Sequence, residues 1–211
     1  RYLGALPSIH RKETWKDVGV RTPVGIVEKK VEKGIEPKSE VAIVFSGPFE
    51  WNQTNRVALR GMTEVLQTRL LEIIREELGG TYSITVSSSY QKIPNPVYST
   101  TIEFGCAPQR TDDLIKRVFQ EIEKFKTGGP TEKQLNDEKE ALLRDFETNS
   151  KLNNYLLGQI TLKLQIGEDP ADFWKVPEYY RKLDAGMIQQ AAKTYLNTKN
   201  FVEVTLFPEK K

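Results

Sequence analysis

Residues 73–87, IIREELGGTYSITVS, carry the chain out of one periodicity and into another. Ile73 and Ile74 close an apolar stripe at helical spacing, and Gly79-Gly80 then supply the glycines that commonly stand just past a helix end. From Tyr82 the pattern alternates: Tyr82, Ile84 and Val86 share one face, while Ser83, Thr85 and Ser87 take the other. A helix handing over to a half-buried strand is the signature of a mixed architecture. Two readings of Arg75 and Tyr82 stay open on these residues. In one, Arg75 complements the helix dipole, worth about 0.3–1 kcal/mol, and Tyr82 is a β-favouring aromatic on the core side. In the other, both side chains emerge at one end of the sheet. The ring of Tyr82 then rests on apolar neighbours while its hydroxyl reaches a cleft beside the guanidinium.

Working outward, the helix extends back to Thr54 through Val57, Ala58, Met62, Val65, Leu66 and Leu70. Two strands precede it, 25–34 and 40–47, separated by a turn around Pro37. Val41, Ile43 and Phe45 lie on one side of the second strand and Ala42 and Val44 on the other, which predicts a central position. The first strand alternates charge with valine and isoleucine and is expected near an edge. After the junction, strands 82–90 and 97–106 form a hairpin around Pro94-Asn95-Pro96, with Tyr98, Ile102, Phe104 and Cys106 on one face. Ser83, Thr85, Ser87, Thr101 and Glu103 make the opposite face polar, suiting the wall of a wet chamber.

A helix over 112–126 carries Leu114, Ile115, Val118, Phe119, Ile122 and Phe125 on one stripe and stops at Gly128-Gly129-Pro130. Thr131 and Gln134 then form a capping box. Helices follow near 153–166, 173–182 and 186–196, and residues 201–207 form a last strand ended by Pro208. The fold class is α+β: a mostly antiparallel sheet of about five strands with helices covering one face. Residues 1–22 read as an interdomain linker and the tail of a preceding domain, and 23–211 as the domain itself. The opening RYLGALPS suggests a piece of a longer protein.

Composition excludes several functions. Of 211 residues, 38% are hydrophobic and 28% charged, and the net charge is only +2 with signs interspersed, which argues against a nucleic-acid surface. No apolar run is long enough to span a bilayer. The chain has no P-loop, no G-x-S-x-G and no G-x-G-x-x-G. Its single His, His10, lies in HRKET (10–14), where Thr14 stands in the place of a second metal ligand, so it reads as an exposed linker residue. Cys106, the one cysteine, reads as a buried small hydrophobe with no His partner. Asn52-Gln53-Thr54 matches a glycosylation acceptor and equally a helix start.

REELGGTYS (75–83), lying between a long amphipathic helix and a strand, resembles the R-E-x-x-G-x-x-Y junction of the pitrilysin/insulinase family of zinc peptidases. RYLGALPS (1–8), PTEKQLNDEKEALLRDFE (130–147) and QQAAKTYLNTKNFVEVTLFPE (189–209) resemble further stretches of the same family, in the same order. The resemblance implies the mitochondrial-processing-peptidase-like fold of the C-terminal, non-metal half. It implies no cofactor in this chain and zinc in a homologous partner half, which carries H-x-x-E-H and lies upstream or on a separate subunit. It further implies that Tyr82 stabilises the oxyanion and that Arg75 and Tyr82 bind the peptide substrate. This fragment alone is then expected to be inactive. The compartment is left open; for a bacterial member the resemblance implies a soluble periplasmic protein. Two other readings compete: a non-catalytic core subunit of the same fold, as in respiratory complexes, and an unrelated α/β module whose sheet edge pairs with peptides. Keeping both Arg75 and Tyr82 favours the peptidase half, because a scaffold does not need that pair.

Overall fold

The computed structural model describes residues 2–7, 9–14, 16–78 and 84–209, with Leu3 and residues 74–78 described by backbone alone. Strands β1 (Ile26–Glu32) and β2 (Ser39–Pro48) lead into α1 (Gln53–Leu78), which is followed by β3 (Ile84–Gln91) and β4 (Val97–Cys106). Helices α2 (Thr111–Gly128), α3 (Glu132–Asn149), α4 (Asn153–Gln165), α5 (Val176–Lys182) and α6 (Ala185–Tyr195) come next, and β5 (Phe201–Phe207) completes one sheet. The order across that sheet is β1-β5-β2-β4-β3. Only β1 and β5 run parallel; β2 is antiparallel to β5 and β4, as β3 is to β4. As the patterns predict, β2 is central and β1 lies at an edge.

Alternation along the strands decides which face is covered. Val41, Ile43 and Phe45 of β2 are buried, and so are their neighbours Phe104 and Ile102 of β4 and Phe201 of β5. Phe45, Phe119 of α2 and Phe201 close this region, with ring centroids 4.9–6.3 Å apart. Helix α1 packs across the same face and is buried on more than the side its stripe predicts. Leu59 extends that stripe beside Met62 and Leu66 and is as buried as they are, and α6 packs against another side of the helix. Gly61 permits this approach: a Cβ there would meet Leu183 Cδ2, just before α6, at 3.0 Å and Ile188 Cδ1 of α6 at 3.4 Å.

Local chemistry sets the boundaries. Gly129 takes φ 68° and its N–H bonds Phe125 O at 2.8 Å, ending α2. The Thr131 hydroxyl accepts from Gln134 N at 3.2 Å, and Gln134 Oε1 accepts from Thr131 N at 3.0 Å, the reciprocal box that starts α3. Asn52 Oδ1 accepts from Asn55 N at 2.7 Å, so the Asn52-Gln53-Thr54 stretch is a helix start. Asn200 Oδ1 accepts from Gly25 N at 2.7 Å and its Nδ2 donates to Ser46 O at 2.9 Å, which holds the entry of β5 between β1 and β2. Residues 16–24 form neither helix nor strand.

Candidate functional site

The junction singled out by the sequence falls between α1 and β3. Arg75 lies in the last turn of α1, where the backbone alone is described, and Tyr82 lies outside the described residues, as does Ser83. What frames the junction is well defined. Gln67 of α1 reaches the free edge of β3: its Nε2 donates to Ile84 O at 2.9 Å and its Oε1 accepts from Val86 N at 2.6 Å. A side-chain amide thus pairs edge groups that would otherwise be open to another strand. Thr63 on the same helix bonds Ser88 at 2.6 Å, and Ser88 bonds Thr100 at 2.8 Å, so polar side chains also fix α1 to the hairpin. The chain's only histidine is His10, so α1 carries none and cannot hold the inverted zinc motif.

The sheet face turned away from the helices has two characters. Across β3 and β4 it presents Thr85, Ser87 and Glu103, all exposed, beside Thr101, as the alternation predicts. Across β2, β5 and β1 the same face is more apolar, through Val44, Val202, Val204, Leu206, Val27 and Val31, interrupted by the exposed Glu40 and Lys29. The polar groups expected on this face, Thr85, Ser87, Thr101 and Glu103, belong to its β3–β4 half. The apolar half follows from β5 joining β1 to β2, a neighbour relation that no local pattern announces.

A second site, which the sequence reading did not single out, surrounds the first turns of α1. Glu168 accepts from Trp51 Nε1 at 2.7 Å, Arg56 Nη2 at 3.1 Å and Lys163 Nζ at 3.1 Å. Burial alone would push this carboxyl up, but the Trp51 indole, the Lys163 ammonium and the Arg56 guanidinium override it and hold the pKa at about 2. Arg56 also stacks over the Trp51 ring, 4.8 Å from its centroid. One turn along, Arg60 donates to Asp145 Oδ2 at 3.1 Å and to the Tyr180 hydroxyl at 3.4 Å. Between these groups and α4 lies a cavity of about 150 Å³ whose walls include Arg56, Arg60, Tyr90, Tyr155, Lys163 and Tyr180.

The other candidates resolve simply. His10 is exposed in the segment before β1. Cys106 is buried, 3.4 Å from the Thr111 hydroxyl, and burial raises its thiol pKa, as for an inert core residue. Among the described residues no group of three His, Cys, Asp or Glu side chains is placed to hold a metal, and no helix is long and apolar enough to cross a membrane.

A five-stranded, mostly antiparallel sheet with helices on one face places the domain in the α+β class, and its first long helix carries no histidine. Residues 1–142 match the family described as the Peptidase M16 inactive domain, and the chain belongs to that family. It is 24% identical over 153 residues to the probable zinc protease PqqL of Haemophilus influenzae, covering 70% of this chain and 16% of that protein. The fold is shared with the periplasmic protease PqqL of Escherichia coli, with TM-score 0.84 and 23% identity, over 99% of this chain and 23% of that one. It is shared equally with the ferredoxin protease FusC, solved as a mutant in complex with Arabidopsis ferredoxin, with TM-score 0.84 and 17% identity, over 100% of this chain and 23% of that one. The chain therefore spans less than a quarter of the length of each of these relatives.

Proposed function

We propose that this chain is the peptide-holding, metal-free domain of a zinc endopeptidase, inert alone and completed by a homologous zinc-binding half. In this reading residues 1–22 connect it to a preceding domain and 23–211 form the working unit. The observation that carries it is the α1–β3 junction, in a chain of the family described as the inactive peptidase domain, with Arg75 in the last turn of α1 and Tyr82 two residues before β3. Zinc held by the partner half would supply Lewis-acid polarisation of the scissile carbonyl. Tyr82 donates its hydroxyl hydrogen to the oxyanion as negative charge develops there, and Arg75 donates to a carbonyl of the bound peptide. A tyrosine fits this task because its neutral O–H donates at physiological pH without bringing a competing charge. The periplasmic relative supports the periplasm as the compartment of this chain.

Substitution in the intact two-half enzyme tests the assignment. Tyr82→Phe deletes one donor and little volume, so turnover is expected to fall about 100- to 1000-fold while the melting temperature holds. Arg75→Ala is expected to raise KM as well, because it removes binding already present in the ground state. Full turnover in Tyr82→Phe together with a lowered melting temperature would make the tyrosine a packing residue and remove the proposal.

A further inference from the structure

We infer that Gln67 is a positioning residue for the reaction proposed above, a role that rests on the assignment of Tyr82 there. Its side-chain amide fixes the start of β3 to α1, and so sets how Tyr82 is presented to a bound peptide. Gln67 itself touches neither the peptide nor the oxyanion in this scheme.

The two bonds close a clasp. Gln67 Nε2 donates to Ile84 O at 2.9 Å, and Gln67 Oε1 accepts from Val86 N at 2.6 Å. Both backbone groups lie on the side of β3 that has no neighbouring strand, so the amide stands where another strand would. A carboxamide offers a donor and an acceptor side by side on one planar group, which is what that place requires. Its orientation is fixed by its partners, because turning it over would set like against like at both bonds. The side chains of Ile84 and Val86 are buried, so the core holds the strand against the clasp. Four residues earlier on α1, the Thr63 hydroxyl meets Ser88 Oγ at 2.6 Å. Four helical residues rise about 6 Å and two strand residues about 6.6 Å, so the two fixtures share one spacing. Sliding β3 along α1 would break both at once.

The clasp lies between the two arms of the junction. Tyr82 comes two residues before Ile84, so its Cα is tethered within about 7 Å of the clasped residue whatever path the chain takes. Arg75 follows Gln67 by eight residues of continuous helix, about 12 Å along α1. Pairing with β4 holds β3 in the sheet, and the clasp adds a fixed hydrogen-bonded distance between its first residues and the helix that bears Arg75. A misplacement of about 1 Å at a reacting centre can cost roughly 100-fold in rate, so the fixture matters more to turnover than two neutral bonds suggest.

Four forms of the intact two-half enzyme test this: the parent, Gln67→Met, Tyr82→Phe and the double variant. Gln67→Met keeps the length of the side chain and loses both bonds. Its turnover is expected to fall about 10- to 100-fold, with KM within about twofold of the parent, because the loss falls on the transition state. Since Gln67 acts through Tyr82, the double variant should turn over no more slowly than Tyr82→Phe alone. Gln67→Glu keeps the acceptor for Val86 N and regains a donor for Ile84 O only when protonated. Its turnover relative to the parent should therefore rise as pH falls through the titration of that carboxyl, and it carries the comparison if Gln67→Met does not fold. Parent-like turnover in Gln67→Met, losses that multiply in the double variant, or a Gln67→Glu ratio flat with pH would overturn this role while leaving that of Tyr82 standing. Parent-like turnover in Tyr82→Phe would remove both.

Discussion

Two carboxylates flank the first turns of α1, and their surroundings send them to opposite charge states. Glu168 is half-buried among Trp51, Lys163 and Arg56, which override the burial penalty and hold it ionised with a pKa of about 2. Glu138 on α3 is also withdrawn from solvent, but its Oε1 has no hydrogen-bond partner among the described residues. Burial pushes it up, the Glu64 carboxylate adds to this, Arg60 opposes and Asp145 adds again, leaving it at about 8. Glu138 is the more desolvated of the two, but depth is not the whole difference. What separates them is whether donors were placed before the charge was buried.

The largest test of that contrast removes the ionised member. Glu168→Gln leaves Arg56 and Lys163 facing one another without an anion, so a loss of about 3 kcal/mol is expected at pH 7 by denaturant unfolding. The native protein should show the same dependence in acid. The folded pKa lies below the ordinary 4.5, so the stabilisation is present above 4.5 and is lost as pH falls from there towards 2.

Glu138→Gln should act with the opposite sign. A folded pKa above the unfolded one penalises the native state increasingly as pH rises from 4.5 to about 8, and fully beyond that. The variant is therefore expected to gain about 2 kcal/mol over the parent at pH 9 and almost nothing at pH 4. Equal effects at both pH values would show that Glu138 pays no ionisation cost.

A smaller effect sharpens the Glu168 side. Arg56→Lys keeps the charge but loses the flat stack on Trp51, so about 1 kcal/mol should go, with a change in Trp51 fluorescence. The smallest sets the scale. Arg144→Ala breaks a fully solvated pair with Glu140, and at most about 0.5 kcal/mol is expected. A loss there matching that of Glu168→Gln would erase the distinction between placed and unplaced donors.

What could be read in advance was whatever repeats locally. The capping box at Thr131, the glycine stop of α2, the central character of β2 and the long helix all declare themselves within a few residues. The second packed side of α1 did not, because Gly61 matters only once Leu183 and Ile188 arrive from far along the chain. The Glu168 cluster was equally hidden: Arg56 and its carboxylate are 112 residues apart, and neither stretch has a motif. A tryptophan and arginine bracketing a helix start, Trp51 and Arg56, was the one available hint. Arg75 and Tyr82 were the reverse case. Their motif was legible, while the Arg75 side chain and Tyr82 lie outside the described residues, so sequence and family carry that assignment.

The position of β5 has a consequence for how this molecule comes to be. Residues 201–207 lie between β1 and β2, so the two earliest strands cannot be joined until nearly the whole domain has left the ribosome. Until then β1 has no partner in the sheet and β2 has a bare side. Asn200, whose bonds reach Gly25 and Ser46 across 175 and 154 residues, acts as a latch that closes only at the end. Contacts of such long sequence separation make folding slow, and they leave a nascent chain with an open strand edge for most of its synthesis. A domain lacking β5 alone would keep its other four strands, yet it would have two unpaired edges in place of a finished sheet and be prone to clump with its own copies.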